Sequence, residues 1–305
     1  MEKGIDYQEL GLLEFSQKFS TEEACRDHLF RMRWPERFIC PRCGCVEYSY
    51  HSTRRLYQCK GCLYQASVTA GTIFHRTRTP LVKWFWAIFL IARQKSGISG
   101  RALMKLLQIN SYQTVWTMCH KIRKAMGDRD ANYKLGGLVE MDESYFGGPK
   151  SGSRGRGADG KTIVAVCIEN NGDRPGFATM KVIDEATSDE LLAVAEQKIE
   201  KEGSMVKTDG FRAYKFLNRN GFTQEGSKAS GKDASTVLPW VHTLIGNVKL
   251  TIQGIFHGVS GKHLQRFLDE YCYRFNRRVK EAELFDRLLL ACARNTTVTY
   301  AELAG

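Results

Sequence analysis

Four cysteines constrain this chain more than any other feature. They stand as Cys40-Pro-Arg-Cys43 and Cys59-Lys-Gly-Cys62, two CxxC pairs with fifteen residues between them. A CxxC step lets two thiolates of one tight turn reach the same ion, and two such turns complete a tetrahedron. The spacing predicts a zinc ribbon over residues 36–70, with Zn²⁺ held by Cys40, Cys43, Cys59 and Cys62. Four thiolates leave no open position, so this ion is structural. Cys45 lies close by but fits the spacing less well. The chain has ten cysteines and opens MEKGIDYQELGLLEF, with no secretory signal in view, which points to ligands and buried thiols rather than disulfides. Its most apolar stretch, Trp84 to Ala92, is far short of the roughly 20 residues that span a bilayer. A cytoplasmic protein with no membrane partner is expected.

The rest of the chain separates by texture. Residues 1–35 read as an N-terminal helical segment, with Ser20 and Glu23 as a capping box and Pro35 as its stop. Residues 79–130 read as three helices. Pro80 starts the first, Ser99 caps the second, and Asn110 or Ser111 caps the third. Gly127 and the charged run 128–134 read as a linker. Residues 135–280 change to an α/β pattern: strands at 136–145, 162–168 and 176–183, a helix from Ser188 to Glu202, and a fourth strand at 204–208. Residues 281–305 form a C-terminal helix and tail.

A net charge of +12 favours an anionic partner, nucleic acid before membrane. The second and third helices of residues 79–130 have the layout of a helix-turn-helix. Gln113 and Thr114 sit where base edges are read, and Lys121, Arg123 and Lys124 where phosphates are met. A small helical bundle with a solvated charged face fits the same residues. A second basic group, Arg274, Arg277, Arg278 and Lys280, joins Lys150, Arg154, Arg156 and Lys161 of a glycine-rich loop as candidates to track a DNA backbone, the alternative being a solvated basic surface. Tyr48, Tyr50, Arg54, Arg55 and Tyr57 suit nucleic acid contact or ribbon packing equally.

Two aspartates carry the chemistry. Asp142 lies on the first strand of the α/β region and Asp209 at the end of the fourth. Either alone reads as a turn or cap residue. In a strand-strand-strand-helix-strand layout the first and fourth strands can be neighbours, which brings both carboxylates to one end of a sheet. Paired carboxylates facing solvent are partners for Mg²⁺ or Mn²⁺, and metal pairs of this kind activate a nucleophile and stabilise a leaving oxygen in phosphodiester chemistry. Glu140 shares the strand face of Asp142, as a supporting group or an ordinary strand residue, whereas Glu143 does not share it.

The segments FICPRCG…YQCKGC, GTIFHRTRTPLVKWFWAI, SYQTVWTMCHKIRKAM, VEMDESYFGG, KTDGFRAY, WVHTLIGNVKLTIQGIFHGVSGKHLQ and YCYRFNRR resemble bacterial insertion-sequence transposases of the ISXO-like group, which join an N-terminal zinc ribbon to a DD(E/N) catalytic domain. The resemblance runs from about residue 20 to 290. It implies a ribonuclease H-like mixed sheet with flanking helices. Asp142 and Asp209 become the first two metal ligands, and Asn247, 38 positions after Asp209, takes the third catalytic position. Glu270 is the alternative third residue. Lys249 and His242 are candidates to hold a DNA phosphate or a water. The implied activity is metal-dependent cleavage at terminal inverted repeats and strand transfer into target DNA, by a homo-oligomer on double-stranded DNA. A catalytically degenerate DNA-binding regulator and a structure-selective nuclease are the alternatives.

Overall fold

In the computed structural model, which describes residues 10–148, 160–227 and 237–305, the chain forms two units. The first comprises residues 1–129 together with residues 280–305, and the second residues 130–279.

The first unit begins with helices α1 (Leu12–Lys18) and α2 (Glu22–Arg33). Thr21, not Ser20, caps α2. Its backbone is extended and its Oγ1 accepts from the Ala24 amide at 3.2 Å, while the Ser20 hydroxyl turns back to the Gln17 carbonyl. Strands β1 (Tyr48–His51), β2 (Leu56–Cys59) and β3 (Gln65–Ala66) follow as an antiparallel meander. Tyr57 of β2 is buried, and its ring lies 4.6 Å from Phe30 and 5.4 Å from Tyr48, so ribbon packing claims it. Arg55 pairs with Glu23 at 3.3 Å.

Helices α3 (Leu81–Arg93), α4 (Gly100–Leu106) and α5 (Tyr112–Asp130) match the expected triplet. Ser99 and Ser111 accept from the Ala102 and Thr114 amides as N-caps. Helix α5 runs straight through Gly127, which corrects the expected linker. A helical glycine costs only about 1 kcal/mol, and the buried Ala125 and Met126 beside it offset that cost. The C-terminal helix Leu284–Arg294 completes this unit's core. Phe285 lies 5.0 Å from Phe15 and 6.0 Å from Phe85 and Phe89, ring to ring. No described helix is long and apolar enough to cross a membrane.

The second unit is a five-stranded mixed sheet. Its strands are β4 (Leu138–Phe146), β5 (Thr162–Asn170), β6 (Pro175–Ile183), β7 (Met205–Thr208) and β8 (Thr223–Gly226), in the order β6-β5-β4-β7-β8. The β4–β5 and β5–β6 pairs are antiparallel, and the β4–β7 and β7–β8 pairs parallel. This is the ribonuclease H-like order. Strand β8 was not anticipated, because its TQEG sequence has no apolar alternation. Helix α6 (Ser188–Lys198), capped by Thr187 rather than Ser188, and α7 (Lys215–Arg219) share a core with Val139, Met141, Ala165 and Cys167 on one sheet face. Helices α8 (Pro239–Phe256) and α9 (Gly261–Asn276) pack on Phe146, Val164, Val166 and Ile168 of the other. The period-two alternation along β4 and β5 supplies both cores.

One half-buried acid makes this unit sensitive to pH. Burial pushes the Asp269 carboxyl of α9 from its ordinary 3.8 up to about 6, against the pull of a hydrogen bond from Gln265. The folded state therefore binds more protons than the unfolded one between those values. The stability from this group is complete below pH 3.8 and is lost as pH rises through about 6. The loss amounts to at most about 3 kcal/mol. Asp269→Asn should flatten that part of the profile in urea unfolding followed from pH 4 to 7.

Candidate active site

The site grows from the pairing of β4 with β7. Their parallel register sets Leu138 against Met205, Val139 against Val206 and Glu140 against Lys207. Continued two residues past its last pair, that register runs to Asp142 on β4 and to Asp209, the residue after β7. Asp142 is buried to 8% exposure at the middle of β4, and its Oδ1 accepts from the Glu143 amide at 2.9 Å. Asp209 follows the last residue of β7 and is half-buried, with Oδ1 accepting from the Phe211 amide at 2.9 Å. Tyr214 lies fully buried on the α6 side and donates its hydroxyl to Glu143 Oε2 at 2.7 Å. Burial, then the charges of Glu143, Asp142 and Asp209, hold that phenol well above its ordinary proton affinity. One hydroxyl thus lies within electrostatic reach of both aspartates. Tyr214, five residues beyond Asp209, carried no sequence signal that separated it from a core aromatic.

Glu140 is completely buried on the opposite face of β4 from Glu143. Its Oε2 accepts from the backbone amides of Trp240 (3.0 Å) and Val241 (2.8 Å), and its Oε1 from the Asn170 side chain (2.7 Å). It ties down the N-terminus of α8. Burial raises its carboxyl's proton affinity, and the three donors oppose that rise. Helix α8 therefore runs along β4 in step with it, and His242 meets Asp142, with Nδ1 3.7 Å from Oδ2. Two turns on, the Lys249 ammonium lies 5.3 Å from the Phe146 ring centroid. Desolvation and then Lys161 lower its proton affinity, and Asp142 raises it.

Asn247 is exposed on α8. Five residues past His242, it points about 140° round the helix from the flank that faces Asp142. Glu270 is 1% exposed on α9, the helix over β6 two strands from β4, and it pairs with Arg274 at 3.3 Å. His242, a candidate to hold a DNA phosphate or a water, comes within 3.7 Å of Asp142.

The cysteine quartet is closed. Cys40 and Cys62 Sγ stand 3.7 Å apart and Cys43 and Cys59 Sγ 3.5 Å, with all four sulfurs within 4.8 Å of one another. Thiolates sharing one Zn²⁺ at about 2.3 Å lie roughly 3.8 Å apart, so the residues fit this ion. Cys45 stands outside the quartet, its Sγ 3.9 Å from the Glu47 carbonyl. Gly61 of the second knuckle is close to Cys45: a Cβ there would stand 3.2 Å from Cys45 Cβ, tighter than ordinary contact.

Two domain models match this chain in tandem. Residues 20–65 match the transposase zinc-ribbon domain and residues 134–276 the ISXO2-like transposase domain. The chain thus joins a transposase zinc-ribbon domain to an ISXO2-like transposase domain. A relative from Halobacterium salinarum, described as an uncharacterized protein in transposable element ISH50, is 29% identical over 226 residues, 68% of this chain and 74% of its own length. That relative is archaeal, so the match does not establish the expected bacterial origin. Among solved structures, a Mos1 transposase paired-end complex with left transposon end covers 70% of this chain and 79% of its own, at 12% identity and a TM-score of 0.27. The fold assignment rests on strand order, not on that score.

Several of the basic residues singled out for DNA have partners within the fold. Arg277 donates to Asp130 at 2.6 and 3.2 Å and stacks 3.7 Å over Tyr273. Arg278 donates to the Pro175 and Phe275 carbonyls, and Arg274 is buried with Glu270. This cluster braces α9 against the sheet. On α5, Arg123 is 3% exposed, Lys121 donates to the Ile73 carbonyl at 3.2 Å, and Lys124 pairs with Asp128. Gln113 and Thr114 stay accessible at the start of that helix. Lys150, Arg154 and Arg156 lie outside the described residues.

Two outcomes follow for the transposase. Cys59→Ser should release one zinc per chain, read by metal analysis, and melt the meander; structural zinc in such small domains binds with about 10–16 kcal/mol. Glu140→Ala leaves buried amides of α8 without an acceptor. It should lower stability by roughly 1–3 kcal/mol in denaturant unfolding, and Glu140→Gln should recover part of that loss.

Proposed function

We propose that this transposase cuts DNA at the terminal inverted repeats of its own element and joins the freed ends to target DNA, using divalent metal held by Asp142 and Asp209. The observation that supports this reading is the parallel β4–β7 register, which continued past Glu140 and Lys207 runs to the two aspartates. Mg²⁺ or Mn²⁺ bound there would activate a water or a 3′-hydroxyl and offset charge on the leaving oxygen. The chain's own residues do the rest. Asp142 and Asp209 offer oxygen donors. Tyr214, hydrogen-bonded to Glu143, braces the sheet beneath them. Lys249 stands on the same flank of α8 as His242, where a scissile phosphate would need a cation. The exposed start of α5, with Gln113 and Thr114, and the zinc ribbon suit contact with the repeats. Cutting and joining at one site needs both element ends together, which implies a homo-oligomer on double-stranded DNA.

The test uses DNA carrying the repeats that flank the gene, with Mg²⁺ or Mn²⁺. The native protein should cut each end and join it to a second DNA. Asp142→Asn and Asp209→Asn should lose both reactions, at least ~100-fold, while still binding the repeats. Cleavage without joining would identify a structure-selective nuclease. Binding without cleavage under either metal would identify a DNA-binding regulator.

A further inference from the structure

The outer face of the zinc meander carries a row of polar side chains. The strand register sets Ser49 against Gln58, His51 against Leu56 and Gln58 against Gln65, so these residues share one face. The opposite face carries Tyr57, buried against Phe30. Across the three strands, Gln58 Oε1 accepts from His51 Nε2 at 2.8 Å and from Gln65 Nε2 at 3.1 Å. Both lone pairs of that carbonyl are used, which holds the glutamine in one pose. Its Nε2 keeps two N–H donors that meet no partner among the described residues.

Pinning a surface glutamine costs side-chain entropy, and a ligand that needs a preset donor makes use of that ordering. The face has no acid. Arg42 and Arg54, exposed in the adjoining turns, make no ion pair among the described residues, so the surroundings favour an anionic partner. Strand β3 is only two residues long, which leaves the meander close to a two-stranded ribbon. Such a ribbon fits the major groove of B-DNA, where each base pair shows its own donors and acceptors. Two donors match guanine, which presents O6 and N7 as acceptors, whereas adenine sets an amino donor beside its N7.

We propose that this face enters the major groove of the element's ends, where Gln58, held by His51 and Gln65, reads a guanine. Gln58 thereby sets a sequence preference, and Arg42 and Arg54 meet phosphates, which orient the ribbon without reading sequence. This deepens the repeat-binding reading above and rests on it. The chemistry of the side chain makes the preference invertible. In Gln58→Glu the carboxylate still accepts from His51 and Gln65, but its outward atom accepts rather than donates, and cytosine N4 becomes the fitting group.

The test is binding of the whole, zinc-loaded chain to DNA carrying the flanking repeats, and to unrelated DNA of the same length, by fluorescence anisotropy. Guanines of the repeat are replaced singly by 7-deazaguanine, which lacks N7, or by inosine, which loses only the minor-groove amino group. One 7-deazaguanine position should weaken native binding at least ~5-fold, with inosine neutral there, and Gln58→Ala should be indifferent to it. Gln58→Ala should bind unrelated DNA as the native chain does. Arg54→Ala should instead weaken both DNAs alike and lower the salt slope by about one. Gln58→Glu should prefer C·G to G·C at the sensitive position. A native scan with no sensitive guanine would overturn the proposal even where a variant fails to fold, and so would a sensitive guanine to which Gln58→Ala still responds. Native protein that does not distinguish the repeats from unrelated DNA would overturn the repeat-binding reading itself, and this inference with it.

Discussion

The carboxylate of Glu140 holds the second unit in register. A helix begins with amide donors that have no partner of their own, and burying them is costly. In α8 two of those amides, Trp240 and Val241, end on one oxygen of Glu140, and Asn170 takes the other. The positive end of the helix favours an anion at that point. Strand β4 and helix α8 are thus pinned to each other at residues 140 and 240. They leave the pin in the same direction, so Asp142 meets His242 and Phe146 meets Lys249. Released from the pin, the helix could slide by a turn and part the two.

The sheet supplies the other half of the arrangement. Parallel pairing between β4 and β7 runs on toward Asp142 and Asp209, while the antiparallel β5 and β6 build the floor for α8 and α9. The alternation along β4 gives its acids different work. Glu140 and Asp142 face α8, one anchoring it and the other meeting His242. Glu143 faces the opposite core and is held by Tyr214.

Part of the positive charge singled out as a DNA footprint has a structural use. Arg274 and Arg277 neutralise Glu270 and Asp130, Arg278 satisfies carbonyls beside β6, and Lys121 satisfies the Ile73 carbonyl. Buried or stacked guanidinium groups spend their donors internally. The net charge of +12 therefore overstates what is left for phosphate. Lys249 differs, because it stands beside Asp142 with no acid of its own within ion-pair distance among the described residues.

What the sequence by itself determined is whatever depends on local spacing. Two CxxC turns define a zinc ribbon because their ligands are set by neighbours in the chain. Asp142 and Asp209 could be found because each ends or interrupts a readable apolar strand, and the order of those strands limits which can pair. Tertiary structure alone decided which flank of α8 turns to β4. Asn247 and His242 lie five residues apart on one helix, and only packing sets which of them comes near Asp142. That orientation comes from a buried acid a hundred residues earlier in the chain. Likewise, the C-terminal helix returns to the first unit because Phe285 fits the cluster of Phe15, Phe85 and Phe89, a match between distant segments. Spacing fixes contacts made within a turn or a strand, whereas contacts between elements depend on packing and burial, which no local pattern encodes.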